Sequence, residues 1–105
     1  MSDVFKALAD TNRRHLLDML RAEDGLTLNQ LCEQLKMSRQ AVSKHLSILE
    51  SANLINCVQD GRHKFHFLNP TPILEIVNRW VSKFSHHQAT TLLELKQKLE
   101  NQNEQ

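Results

Sequence analysis

Residues 38–49, Ser-Arg-Gln-Ala-Val-Ser-Lys-His-Leu-Ser-Ile-Leu, hold the side chains best suited to chemistry. Arg39 and Lys44 are cations, Gln40 is an amide, and Ser38, Ser43 and Ser47 carry short hydroxyls; no carboxylate interrupts them. Val42, Leu46 and Leu49 recur at helical spacing and turn the stretch into a helix with one apolar face. The opposite face suits phosphates and base edges, since Arg can fork onto guanine, Gln onto adenine, and hydroxyls and ammonium groups onto backbone oxygens. Ser38 stands where an N-cap belongs, which gathers the polar groups near the start of the helix. An ordinary solvated helix face has a similar composition, so the neighbouring segments must decide.

Other chemistries find little footing. The six histidines do not converge: His63 and His66 fall on opposite faces of a strand, and the sequential pair His86 and His87 diverges by about 100° on a helix. Cys32 and Cys57 match no zinc or redox spacing and read as small buried apolar residues. There is no glycine-rich phosphate loop, no framed pair of carboxylates and no nucleophile beside a base. No catalytic residue, metal ligand or cofactor is expected.

The elements that must position the Ser38 helix come from periodicity and caps. Residues 3–9 form a short helix with Val4, Phe5 and Leu8 on one face. Asp10-Thr11-Asn12 breaks it, and a second helix buries Leu16, Leu17, Met19 and Leu20 before Gly25 closes it in a left-handed conformation. Thr27 caps a third helix with Leu28, Leu31 and Leu35 inward; Lys36-Met37 turns the chain into the Ser38 helix, which runs to about residue 51 with Asn53 as a left-handed cap. Residues 54–58 are strand-like, Asp60-Gly61 signals a tight hairpin, and residues 63–68 return, with Phe65 and Phe67 on one side and Lys64 and His66 on the other. A lone hairpin cannot stand in water, so it must lie against the helices. The fold class is therefore mainly α with a small β-hairpin: a winged helix-turn-helix, α-α-α-α-β-β-α. Residues 70–101 are expected as one long C-terminal helix, opened by Pro70 and Pro72, with Ile73, Val77, Trp80, Phe84, His87, Leu92, Leu95 and Leu99 recurring mostly at threes and fours. Such a stripe exceeds what a small core can cover and is assigned to dimerisation, together with Val4, Phe5 and Leu8. Residues 1–101 are read as a single winged-helix domain and 102–105 as a disordered tail.

Length and charge agree. The 105 residues suffice for one modest core, and a net charge of +1 means that any basic surface must come from uneven placement. No apolar run approaches membrane length, and the N-terminus lacks the pattern of a secretory signal, so a cytoplasmic protein is expected.

Four segments resemble the ArsR-type winged-helix regulators. They are residues 5–14 (Phe-Lys-Ala-Leu-Ala-Asp-Thr-Asn-Arg-Arg), the block 37–54 through Ser43-Lys44-His45-Leu46 and Leu49 to Leu54, Gly61-Arg62 with residues 65–70, and residues 80–99. The last is similar to the terminal helix of the non-metal, autorepressor-like (SdpR-like) branch. Thr11-Asn12 stands where the family has Pro-Thr, and Asn53 where it has Gly. Thr27-Leu28-Asn29 occupies the place of the Cys-Val-Cys of metal-sensing members. The resemblance implies a homodimeric repressor that binds an imperfect palindrome in double-stranded DNA. Its alternative is a metal- or ligand-gated sensor whose DNA affinity an effector switches. The expected DNA contacts are Thr27, Ser38, Arg39, Gln40, Ser43, Lys44, His45, Arg62 and Lys64. Of these, Arg39 and Gln40 are the base readers, and Thr27, Ser38, Ser43 and Lys44 the phosphate clamps. His45 could instead be a partly buried helix residue, and Arg62 an idle cation. Arg13 and Arg14 open a helix, where ion pairs with Asp10 or Asp18 compete with a phosphate contact. The operator, the regulated genes and any inducer are not legible.

Overall fold

Helices of two or three turns do not persist alone in water and must bury an apolar face. In the computed structural model, which describes residues 2–83 and 86–103, four such helices come first: α1 (Ser2–Leu8), α2 (Thr11–Ala22), α3 (Leu28–Gln34) and α4 (Arg39–Ser51). A hairpin follows, β1 (Ile55–Asp60) and β2 (His63–Leu68), and then α5 (Thr71–Val81) and α6 (His86–Asn103). The chain divides into two compact units, Met1–Ile73 and Leu74–Gln105.

The first unit is the winged helix. Its core takes Ala7 from α1, Leu16 and Leu20 from α2, Leu31 from α3, Val42 and Leu49 from α4, and Leu54 and Ile55 at the entry to β1. Caps set the helix boundaries. Asp10 accepts from the backbone N–H groups of Asn12 and Arg13; the Arg13 bond above all holds its carboxyl below the ordinary carboxylate range. Thr27 forms a reciprocal capping box with Gln30, and Ser38 accepts from Ala41 N–H. Asn53 is left-handed, with φ 61°, as expected of the α4 exit. Gly25 is left-handed too, but not as the α2 cap: Glu23 closes α2 in an extended conformation, its N–H returning to Met19. Gly25 serves the hairpin instead. Its N–H donates to His66 carbonyl, and the Phe67 ring lies 3.4 Å from where a Cβ would stand.

β1 and β2 pair antiparallel from Ile55↔Leu68 to Asp60↔His63. The two-residue turn is therefore Gly61-Arg62, one position later than the Asp60-Gly61 signal suggests. Gly61 has φ 61° while Arg62 is not left-handed, the pattern of a type II′ turn. His66 anchors the hairpin. It is 4% exposed, and the Leu26 carbonyl accepts both its backbone N–H at 2.9 Å and its Nδ1 at 2.8 Å. A carbonyl only accepts, so Nδ1 carries the ring proton.

Further expectations need correction here. Val4, assigned to a dimer interface, is buried within the first unit at 8% exposure. Cys32 and Cys57 are half-buried rather than buried; partial burial, then the nearby Glu50, raises the Cys57 thiol above its ordinary range and keeps it protonated. The long terminal helix is two helices. Ser82 donates its hydroxyl to Arg79 carbonyl, and Lys83 N–H closes on Trp80 carbonyl three residues back, a tightened turn that ends α5. Hydrophobic spacing of threes and fours continues across this turn and cannot reveal it. α6 continues through Asn103, past the expected helix end at residue 101, and residues 104–105 of the expected tail lie outside the described residues.

In the second unit Leu74, Val77, Trp80 and Val81 of α5 and Leu93, Leu95 and Leu99 of α6 are all about half exposed. Lys83 lies over the Trp80 ring at 5.1 Å, and Lys96 pairs with Glu100 one turn on. Phe84 and the side chain of Leu92 lie outside the described residues. Among the described residues no helix is long and apolar enough to cross a membrane.

Candidate nucleic-acid interface

α3, the turn at residues 35–38 and α4 form a helix-turn-helix, and the hairpin stands beside it. Val42, Leu46 and Leu49 anchor α4 in the core, so Arg39, Gln40, Ser43, Lys44 and Ser47 face outward. A cleft of about 420 Å³ runs between this face and the hairpin, lined among others by Asn29, Arg39, Ser43, Glu50, Arg62 and Lys64. A second recess of about 520 Å³ lies along the same face and includes Gln40 and Lys44 without any carboxylate. Arg39, Ser43 and Ser47 border both. Cations converge on one side although the chain is nearly neutral, which concentrates positive potential locally.

Most of the expected contact residues meet here. Ser38, Arg39, Gln40, Ser43, Lys44, Arg62 and Lys64 are exposed. Thr27 lines the cleft, but its hydroxyl is engaged in the capping box with Gln30. His45 is half-buried, with Nδ1 at 3.3 Å from the Arg13 guanidinium. Arg13 and Arg14 pair with backbone rather than with Asp10 or Asp18: Arg13 donates to the carbonyls of Lys6 and Ala7, and Arg14 to that of Leu8. These carbonyls lie in the last turn of α1, where helical partners run out, although Lys6 carbonyl also accepts from Ala9 N–H at 3.3 Å.

Sequence reasoning missed two partners in the cleft. Asn29 Oδ1 accepts from Arg39, and Glu50 accepts from Lys64 at 3.3 Å. Glu50 lies on the row Ser43, Ser47, Glu50 of α4, so following that row one step further would have found it. Asn29 leaves no such trace, because its meeting with Arg39 depends on how two helices cross. Among the described residues no three His, Cys, Asp or Glu side chains gather to hold a metal ion.

A helix-turn-helix domain family matches residues 8–58, from the end of α1 into β1. The transcriptional repressor SdpR of Bacillus subtilis is 34% identical over 84 residues, covering 80% of this chain and 91% of that protein. An uncharacterized HTH-type transcriptional regulator of the same organism, YuzN, is 36% identical over 84 residues, covering 74% and 91%. The chain belongs to the ArsR family of winged-helix transcriptional regulators. An ArsR-like transcriptional regulator from Rhodococcus sp. RHA1 shares the fold with a TM-score of 0.70 at 29% identity, covering 95% of this chain and 90% of that one. As an ArsR-family member the chain is a DNA-binding regulator of transcription, and its relatives are regulators rather than enzymes.

Proposed function

We propose that this ArsR-family chain is a homodimeric, sequence-specific repressor acting in the cytoplasm. One observation carries the reading: the first turns of α4 offer Arg39, Gln40, Ser43, Lys44 and Ser47 around a recess without a carboxylate, beside a hairpin tipped by Arg62, with Glu50 entering only at the far end of the row. α4 enters the major groove, with Arg39 and Gln40 at base edges and Ser38, Ser43 and Lys44 at phosphates. Arg62 probes the adjacent backbone or minor groove. Ile73, Val77, Trp80, Leu95 and Leu99, with Phe5 and Leu8 of α1, join two copies. The two recognition helices then reach half-sites about one DNA turn apart, roughly 34 Å. Bound across a promoter, such a dimer blocks polymerase. The SdpR relative, named a transcriptional repressor, supports that sense of regulation.

Selection of bound duplexes from a random pool tests this. Enrichment of an imperfect palindrome, with affinity falling steeply as salt rises, is the expected result. A pool that enriches no motif rejects sequence-specific binding, and a single unrepeated half-site rejects the dimer.

Glu50 gives a second, finer expectation. Lys64 and Glu50 are each about half exposed, at 46% and 47%, so their pair contributes at most about 1 kcal/mol. Its effect on DNA is larger, since the carboxylate both repels phosphate and occupies the ammonium group. Glu50→Gln is expected to raise affinity for any duplex and to steepen the salt slope by about 0.9, one added phosphate contact. Titrations at several salt concentrations measure this, and an unchanged slope removes Lys64 from the DNA-contact set.

A further inference from the structure

Arg13 reaches three acceptors from the first turn of α2. Its Nε donates to Ala7 carbonyl at 2.8 Å, Nη2 donates to Lys6 carbonyl at 3.0 Å, and Nη1 lies 3.3 Å from His45 Nδ1. Two of these acceptors belong to α1 and the third to the recognition helix. A guanidinium has donors only, so His45 Nδ1 must be the unprotonated nitrogen and Nε2 must carry the ring hydrogen. His45 sits between Lys44, on the outward face, and Leu46, in the core. Its imidazole therefore occupies the boundary where a hydrogen bond fixes how far α4 is turned about its axis. One helical residue spans about 100° of that rotation, so a small turn moves Arg39, Gln40 and Ser43 off the base edges together.

We infer that Arg13 and His45 form a positioning latch: Arg13 holds the recognition helix in its base-reading rotation through His45 Nδ1, and His45 acts through Arg13 rather than on DNA. This rests on the recognition role proposed for α4 and assigns His45 a place behind the reading face instead of on it. The same guanidinium holds the end of α1, so the latch also ties α1, which carries the exposed Phe5, to the orientation of α4.

The decisive readout is the ratio of affinity for the selected operator to affinity for random duplex. Loss of folded protein lowers both affinities and leaves their ratio unchanged, whereas a turned recognition helix lowers the operator term selectively. His45→Leu keeps the Arg13 bonds to α1 and is expected to lower the ratio roughly tenfold. His45→Asn places a carbonyl acceptor near the Nδ1 position and is expected to restore the ratio to within about twofold of the parent. Arg13→Met should cost as much as His45→Leu, and the double variant no more than either single one. Asn as impaired as Leu, or losses that add, would overturn the latch and return His45 to the DNA surface. Nitrogen NMR of the neutral ring supplies a readout without DNA. The Nε2–H tautomer is expected in the parent protein, and a dominant Nδ1–H tautomer would refute the geometry. A chain that prefers no duplex overturns the operator reading, while the tautomer still decides the Arg13–His45 bond.

Discussion

Arg39→Ala is expected to lower operator affinity by about ten- to a hundredfold, the range for losing one bidentate base contact. The effect should fall mainly on specificity. Arg39 sits at the first position of α4, where a recognition helix points into the groove, and Asn29 holds one of its guanidinium nitrogens. That bond restrains the side chain before DNA arrives, so less freedom is lost on binding. The remaining donors suffice for the fork onto guanine. Lys44→Ala should behave differently. Lys44 faces the carboxylate-free recess as a point charge, and its loss should weaken operator and random duplex alike and flatten the salt slope by about 0.9. Anisotropy titrations of both variants on both duplexes, at two salt concentrations, separate the roles. An Arg39→Ala protein that keeps its preference for the operator would remove Arg39 from base readout.

The contrast between these residues and their partners marks what sequence alone can reach. Thr27, Ser38 and Asn53 act locally, through bonds to groups a few residues away, and their roles as caps were legible. The same holds for Val42, Leu46 and Leu49, whose spacing fixes which side of α4 is buried. The exposed face of α4 follows as the complement of that stripe. Long-range partners were not legible. The Glu50–Lys64 and Arg13–His45 contacts join residues 14 and 32 positions apart, and their meeting is set by how elements pack. His66 is the sharpest case. Strand alternation placed it opposite the two phenylalanines, on the side that a polar residue would normally leave to solvent, yet it is the buried one. Its Nδ1 and backbone N–H both satisfy Leu26 carbonyl, which is how a polar ring is accommodated in an interior. The break between α5 and α6 escaped for a related reason. A serine hydroxyl bonding back to Arg79 carbonyl competes with the helix without disturbing the apolar spacing on either side.

Glutamate at Val77 and Trp80 together should abolish dimerisation and reduce affinity for a palindromic operator by about a hundred- to ten-thousandfold, the range gained by linking two binding heads. Leu74, Val77, Trp80 and Val81 are 55%, 47%, 52% and 50% exposed on one 11-residue helix. Grouped apolar side chains of this size on a helix mark an association surface more often than a solvated face. A second copy of the chain is the occupant that also fits the proposed palindromic target, because a two-fold protein matches a two-fold DNA site. Residues already exposed contribute little to the fold of one copy, so the double variant should retain its helix content and melting behaviour. Light scattering at micromolar concentration should then report a dimer for the parent and a monomer for the variant. On DNA the parent should favour the full palindrome over an isolated half-site, and the variant should bind the two alike. A parent protein that is monomeric at that concentration, or a variant that still distinguishes palindrome from half-site, would place the dimer contact elsewhere on the chain and leave α5 without the role given to it.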